Sequence, residues 1–313
     1  MTPHAETLPV TPRDKAGIAN APTGAIHEAM LYRRDFMRLR SGLLLACLLL
    51  LLRPAFADEP PLRAGVVPNT LPFVTTDAHG TLTGFTIDLF RAIADRMQRP
   101  ITFAFGTQPE LIEGLKKGSY DLLPGPLNAT PERAAEMLLT EGYLWSEFQF
   151  GSRAGEPVNA LKDLKGRRLA VRADSPYADW AQRNAQRYGF SVLPTASGIE
   201  SAQAVLKHHA DASLSASPVQ DYAAWHDKGF VAGLSLPETR THESAGVRRA
   251  DTELRDELED ALRCLKLNGT VARLSKTWLG HEPDAEDLEN LVVPGYGVPG
   301  LAGYDPKPRK ARC

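Results

Sequence analysis

The sequence predicts an α/β protein made of two similar lobes joined by extended crossing segments. Three observations carry this reading. A strand–helix–strand–helix–strand order with short connections runs from Leu62 to Gly125. The same alternation recurs from Arg167 to Gly229. Between them lies "YLWSEFQFGSRAGEPVNALKDLKG" (143–166), whose alternating aromatics suit an extended crossing segment. Apolar strands alternating with amphipathic helices are the mark of a sheet layered with helices.

Each element has a local reason. "LRAGVV" (62–67) is a short apolar strand before Pro-Asn. In "TGFTIDLFRAIADRMQ" (83–98), Phe85, Ile87, Leu89, Phe90, Ile93 and Met97 fall largely on one helical face. "ITFAF" (101–105) is a strand, "PELIEGLKKGSY" (109–120) a helix ending at Gly118, and "DLLPG" the next strand. In the second half "RRLAVRADS", "FSVLPT" and "DASLSAS" read as strands. "PYADWAQRNAQRYG", "GIESAQAVLKHHA" and "SPVQDYAAWHDKG" read as helices. The chain returns through "SLPETRTHESAGVRR" (235–249) to two helices broken at Gly269, with Leu254, Leu258, Ala261, Leu262 and Leu265 as a buried stripe. Beyond Gly280 lies a Pro/Gly-rich segment that reads as a mobile tail.

The 313 residues are enough for two ordinary domains, and 43% hydrophobic content supports a sizeable core. A formal net charge of −2 carries no basic excess that would suit nucleic acid. The segment from Met37 has the form of a secretory signal peptide. Arg38 and Arg40 precede an apolar run from Leu43 to Leu52, and Ala55-Phe56-Ala57 suits cleavage before Asp58. The apolar run is short for a membrane span. "YRRDFMRL" (32–39) offers a twin-arginine alternative, but the very apolar run favours ordinary secretion. Residues 1–57 are therefore read as a non-mature extension and signal, and the mature protein as periplasmic. Of its two cysteines, Cys264 and Cys313, either a disulfide or two free thiols is compatible with the sequence.

"NATPER" (128–133) is the stretch with chemical interest. Thr130 suits a helix cap, Pro131 the first helical position and Glu132 the positive helix end. Arg133 does not suit that end. It is either a surface residue at a poor position or a cation held there for an anion. "GYGVPG" (295–300) matches a dinucleotide-loop pattern, but Pro299 follows where a helix is required. His208-His209 diverge on a helix and do not make a metal pair. There is no G-x-S-x-G, C-x-x-C or H-E-x-x-H.

Six segments, taken in order, resemble family 3 periplasmic solute-binding proteins, the polar amino-acid-binding components of ABC transporters. They are "LPFVTTDAHGTLTGFTIDLFRAIADRM", "LIEGLKKGSYDLL", "TPER", "LKDLKGRRLAVRADS", "DASLSASPVQDY" and "LKLNGTVARLSKTWLG". The resemblance implies the two-lobed type II periplasmic-binding-protein fold, with two crossing strands as the hinge. It places lobe 1 at 58–150, lobe 2 at 151–240, the completion of lobe 1 at 241–280 and a tail at 281–313. It implies capture of a small solute by hinge closure, delivery to an ABC permease, a monomer, and no cofactor or metal.

The family's ligand residues transfer only in part. Arg133 matches the Arg that clamps a ligand carboxylate, with Thr130 beside it; a planar guanidinium suits a carboxylate bidentately. Thr70, one residue before the "x-P-F" tripeptide that contains Phe73, stands where an aromatic commonly covers the ligand. Gly125 stands near the amine contact, but Pro126 after it has no N–H. The lobe 2 turn reads Asp174-Ser175-Pro176. Ala216 occupies the place of the acid that pairs with a ligand ammonium. Burying an ammonium without that acid is costly, so an amine-free carboxylate fits better, with Asp174 as a substitute acid. Asn128 and Arg172 complete the candidate cleft wall. Two rival functions remain at this stage: an accessory of a periplasmic quinoprotein dehydrogenase, and a dehydratase-type enzyme on the same fold.

Overall fold

The computed structural model describes residues 59–173, 175–308 and 313. The signal-peptide expectation lies outside these residues. The described residues form a mixed α/β structure with one long sheet and a separate two-stranded hairpin. In chain order it begins with β1 (Leu62–Val66), the small hairpin β2 (Thr75–Thr76) and β3 (Leu82–Thr83), and α1 (Phe85–Arg96). There follow β4 (Ile101–Phe105), α2 (Gln108–Lys117), β5 (Leu122–Asn128), α3 (Pro131–Glu136) and β6 (Leu138–Leu139). The long strand β7 (Leu144–Arg153) then leads to β8 (Arg168–Arg172), α4 (Pro176–Tyr188), β9 (Ser191–Thr195), α5 (Gly198–Leu206), β10 (Ala212–Ala216) and α6 (Ser217–His226). The chain returns in β11 (Phe230–Val247) and ends its regular structure with α7 (Thr252–Leu267) and α8 (Thr270–Leu279).

The strand order is β4-β1-β5-β11-β7-β10-β8-β9, with β6 also paired to β11. The outer strands of each lobe pair in parallel, as crossover helices require. β7 and β11 run antiparallel to each other through the middle and belong to both lobes. The last turn of β11 pairs with β5 of lobe 1, while its first half follows β7 beside β10 of lobe 2.

Local chemistry explains the helix ends. Glu110 accepts from the backbone N–H of Thr107 at 2.8 Å and closes a capping box on α2. Gly118 ends that helix in the left-handed conformation (φ 78°), as the sequence leads one to expect. Ser175 and Ser197 cap α4 and α5 by accepting from Ala178 N and Glu200 N. The apolar face of α1 is buried as its periodicity predicts, and Leu258, Leu262 and Leu265 of α7 meet it in the lobe 1 core. Phe150, Leu169, Val171 and Leu214 anchor a separate lobe 2 core.

The expectation of a mobile tail does not hold. Residues 281–308 lie against lobe 1 with Leu288 and Val298 buried. Buried polar groups hold the segment: Val293 N donates to Glu141, Gly297 N to Glu259, and Ser275 Oγ to Glu289. The glycines of "GYGVPG" thus turn a docked strap rather than a nucleotide loop. Cys313 is disulfide-bonded to Cys264 in α7. Pro/Gly content marked this segment as loop; what orders it is a set of carboxylates far away in the chain.

The disulfide closes a loop spanning 49 positions. Its reduction, or Cys313→Ser, is expected to cost roughly 2–4 kcal/mol. Thermal unfolding with and without reductant measures this; identical melting temperatures would show that the docked strap alone holds the tail.

Candidate ligand-binding site at the hinge

The two crossing strands lose their regular ladder where the lobes meet. Leu236 pairs with Phe148, but the next pair is Thr241 with Ser146, so Pro237–Arg240 bulge out of β11. Side chains take over the lost bonds. Phe148 N donates to Thr239 Oγ1 at 2.8 Å, and Thr239 Oγ1 donates onward to Leu236 O. Arg240 lies over the Trp145 ring at 4.8 Å. Such an irregular, side-chain-braced segment is where hinge rotation is absorbed.

Arg133 faces this hinge from lobe 1. Thr130 caps α3 as expected, accepting from Arg133 N at 3.3 Å. α3 has six residues, Pro131 lacks an N–H, and the Arg133 N–H is taken by Thr130, so the helix end has little left to offer an anion. The guanidinium is the anion-seeking group. Its Nη1 donates to the carbonyl of Asn128 at 2.8 Å, which fixes the half-buried side chain on the end of β5. Burial presses its pKa below the ordinary value, while Glu243 and Tyr177 act against that.

Glu243 is the residue that sequence reasoning missed. It sits in β11 directly opposite Asn128 of β5, and it is 2% exposed. Its Oε2 is buried without a hydrogen-bond partner among the described residues. Burial pushes its carboxyl up to about 7 from an ordinary 4.5, against a hydrogen bond with Ser146 and the charge of Arg133. Arg133 and Glu243 thus face each other electrostatically, yet form no salt bridge among the described residues. No local motif marks Glu243; the only signal is an acid heading the buried run "SAGV".

Lobe 2 contributes Tyr177, in the first turn of α4. Its ring packs on Phe148 with centroids 4.7 Å apart and touches the cores of both lobes. Burial and Glu243 raise its pKa, while Arg172 and Arg133 oppose this. Arg172, at the end of β8, therefore lies on the same face.

The other expected residues divide. Gly125 adopts φ 101°, and a Cβ there would collide with the Tyr143 hydroxyl and the backbone of Leu127 and Ser244, so its role is close packing of β5 against the hinge. Phe73 is 3% exposed and edge-on to Phe85, a core position. Thr70 closes a local turn, donating its hydroxyl to Val67 O and its N–H to Val74 O. The Ser175 hydroxyl is committed to capping α4 and to Arg172 O. Ala216 is buried beside Phe148 and packs with lobe 1 residues, so it is at the inter-lobe face with only a methyl to present. Asp174 lies outside the described residues. Among the described residues there is no cluster of three or more His, Cys, Asp or Glu placed to hold a metal, and no helix long and apolar enough to cross a membrane.

The titration of Glu243 has a consequence for stability. Its folded pKa lies above its unfolded value, so its contribution is complete below about 4.5 and is lost as pH rises through about 7. Glu243→Gln stays neutral throughout. Between about pH 4 and about pH 8 its stability should gain on that of the wild type by roughly 3 kcal/mol. Urea denaturation of both proteins at the two pH values measures this, and parallel changes would show that Glu243 ionises as freely in the folded state as in the unfolded one.

Two lobes, two shared crossing strands and an arginine turned toward the hinge define a two-lobed solute-binding protein. The chain belongs to the bacterial extracellular solute-binding proteins, family 3, whose family model matches residues 62–281. It is 26% identical over 206 residues to the arginine-binding extracellular protein ArtP of Bacillus subtilis, covering 64% of this chain and 79% of that protein. It is 24% identical over 242 residues to the histidine-binding periplasmic protein of Salmonella typhimurium, covering 72% and 90%. The fold matches the crystal structure of the ancestral amino acid-binding protein AncCDT-1, a precursor of cyclohexadienyl dehydratase. The TM-score is 0.61 at 24% identity, over 70% of this chain and 95% of that one. These relatives are binding proteins, and they favour neither the dehydrogenase-accessory nor the dehydratase reading.

Proposed function

We propose that this protein captures a small carboxylate-bearing solute between its lobes in the periplasm and delivers it, as a monomer, to an ABC transporter permease. Arg133 is the carboxylate clamp. The observation that carries this reading is a half-buried guanidinium at the hinge, anchored by one backbone carbonyl and, among the described residues, without a carboxylate in salt-bridge contact. A desolvated guanidinium so placed favours a bidentate anion. The printed names of the relatives support a ligand of amino-acid type, with arginine and histidine bound by two of them.

Capture needs no covalent chemistry. Tyr177 closes over the site from lobe 2, and the bulge at Pro237–Arg240 supplies the hinge. A thermal-shift screen of the twenty L-amino acids and of small organic acids, run on wild type and Arg133→Ala, tests the clamp. A ligand that stabilises both proteins equally would remove Arg133 from the site.

A further inference from the structure

We propose that Glu243 is the acidic pole of this cleft, receiving the protonated nitrogen of an amino acid whose carboxylate Arg133 holds. Glu243 then does from the hinge strand what position 216, now Ala, does not do from lobe 2. This inference rests on the carboxylate-clamp reading and adds the second half of the ligand to it.

Three observations support it. Glu243 is almost fully buried, and its Oε2 has no hydrogen-bond partner among the described residues. Its ladder partner is Asn128, the residue whose carbonyl anchors Arg133, so adjacent strands set the two opposite charges side by side. The two nevertheless form no salt bridge among the described residues, which leaves both open to the two ends of a zwitterion. A buried carboxylate with one oxygen unsatisfied is costly, and a ligand ammonium offsets that cost. The preference for an amine-free acid follows from Ala216, which leaves lobe 2 without an acid at that position. An acid contributed by the crossing strand removes the objection to an amine.

The arrangement makes binding depend on pH. The charged and titratable groups bearing on Glu243 are Arg133 of α3, Tyr143 ahead of β7 and Tyr177 of α4. Asp221 of α6 and Glu147 of β7 instead bear on each other, and His281 bears on Asp221. Arg133 stays cationic and the tyrosines stay neutral across the neutral range, so Glu243 sets the profile. An ammonium requires the ionised carboxylate. Affinity for an amino acid should therefore rise with pH, up to about tenfold per unit, and level off above about 7.

The test is calorimetric titration of the full chain with the twenty L-amino acids and their 2-deamino counterparts, at about pH 5.5 and about pH 8. Wild type should bind at least one amino acid, more tightly at the higher pH. Glu243→Gln should weaken that amino acid by about 10–100-fold and flatten its pH dependence, without weakening the 2-deamino acid. Glu243→Asp should restore the pH dependence. The proposal is overturned if Glu243→Gln changes both ligands equally or neither, if wild type binds only 2-deamino acids, or if no amino acid binds. Arg133→Ala separates the two readings. An amino acid lost by Arg133→Ala but not by Glu243→Gln keeps the clamp and removes the acidic pole. One lost by Glu243→Gln alone removes the clamp.

Discussion

Arg133→Ala is expected to weaken the best ligand by about 100–1,000-fold, or roughly 3–4 kcal/mol. The size follows from the environment. Exposed ion pairs contribute little, but a guanidinium already removed from water gains more from each bond to a carboxylate. Asn128 fixes the side chain in advance, so little rotamer entropy is lost on binding. Arg133→Lys should recover only part of the loss, because a point charge replaces a planar fork. Calorimetry measures the affinities directly. Thermal shift reports them by linkage: at about 100 times the dissociation constant, wild type should gain about 2.7 kcal/mol that Arg133→Ala does not. Unchanged affinity in Arg133→Ala would place the carboxylate elsewhere.

Lys266→Met should destabilise the fold by roughly 3–5 kcal/mol without touching the ligand site. Lys266 lies in α7 and is 2% exposed. Its ammonium sits 3.7 Å from the buried Glu141 and donates to the carbonyls of Gly142 at 2.7 Å and Leu291 at 3.0 Å. Burial lowers its pKa, and Glu141 is the main opposing influence. One ammonium thus joins α7, the turn before β7 and the C-terminal strap. Methionine preserves the volume but strips Glu141 of this cation and both carbonyls of their donor. Denaturant unfolding should show the midpoint fall, and ligand affinity measured on the folded variant should stay within about twofold of wild type. A loss below 1 kcal/mol would mean that water replaces the ammonium, and a large change in affinity would show that the strap reaches the hinge.

Much of the fold was legible because its signals are short-range. The apolar face of α1, the Gly118 stop of α2, the Thr130 cap and the break at Gly269 each depend on residues within a turn or two. The same locality set the limit at the site. Arg133 was legible through its misfit in "TPER". Phe73 and Ser175 were selected by position in a motif, whereas the structure commits one to the core and the other to a helix cap. Glu243 carries no local mark, because its place beside Asn128 comes from β11 pairing with β5, a contact between distant segments.

Periodicity and caps in the sequence by themselves determined the two-lobed α/β class and the arginine worth testing, and the resemblance of six ordered segments implied the family. Tertiary structure alone decided that the C-terminal segment is a docked strap, that Cys264 bonds Cys313, and that a buried acid stands opposite Asn128, whose carbonyl holds Arg133. The division has a physical cause. Helix and strand signals are written in neighbouring residues, but desolvation and charge coupling depend on which distant groups folding brings together, and no local pattern records that.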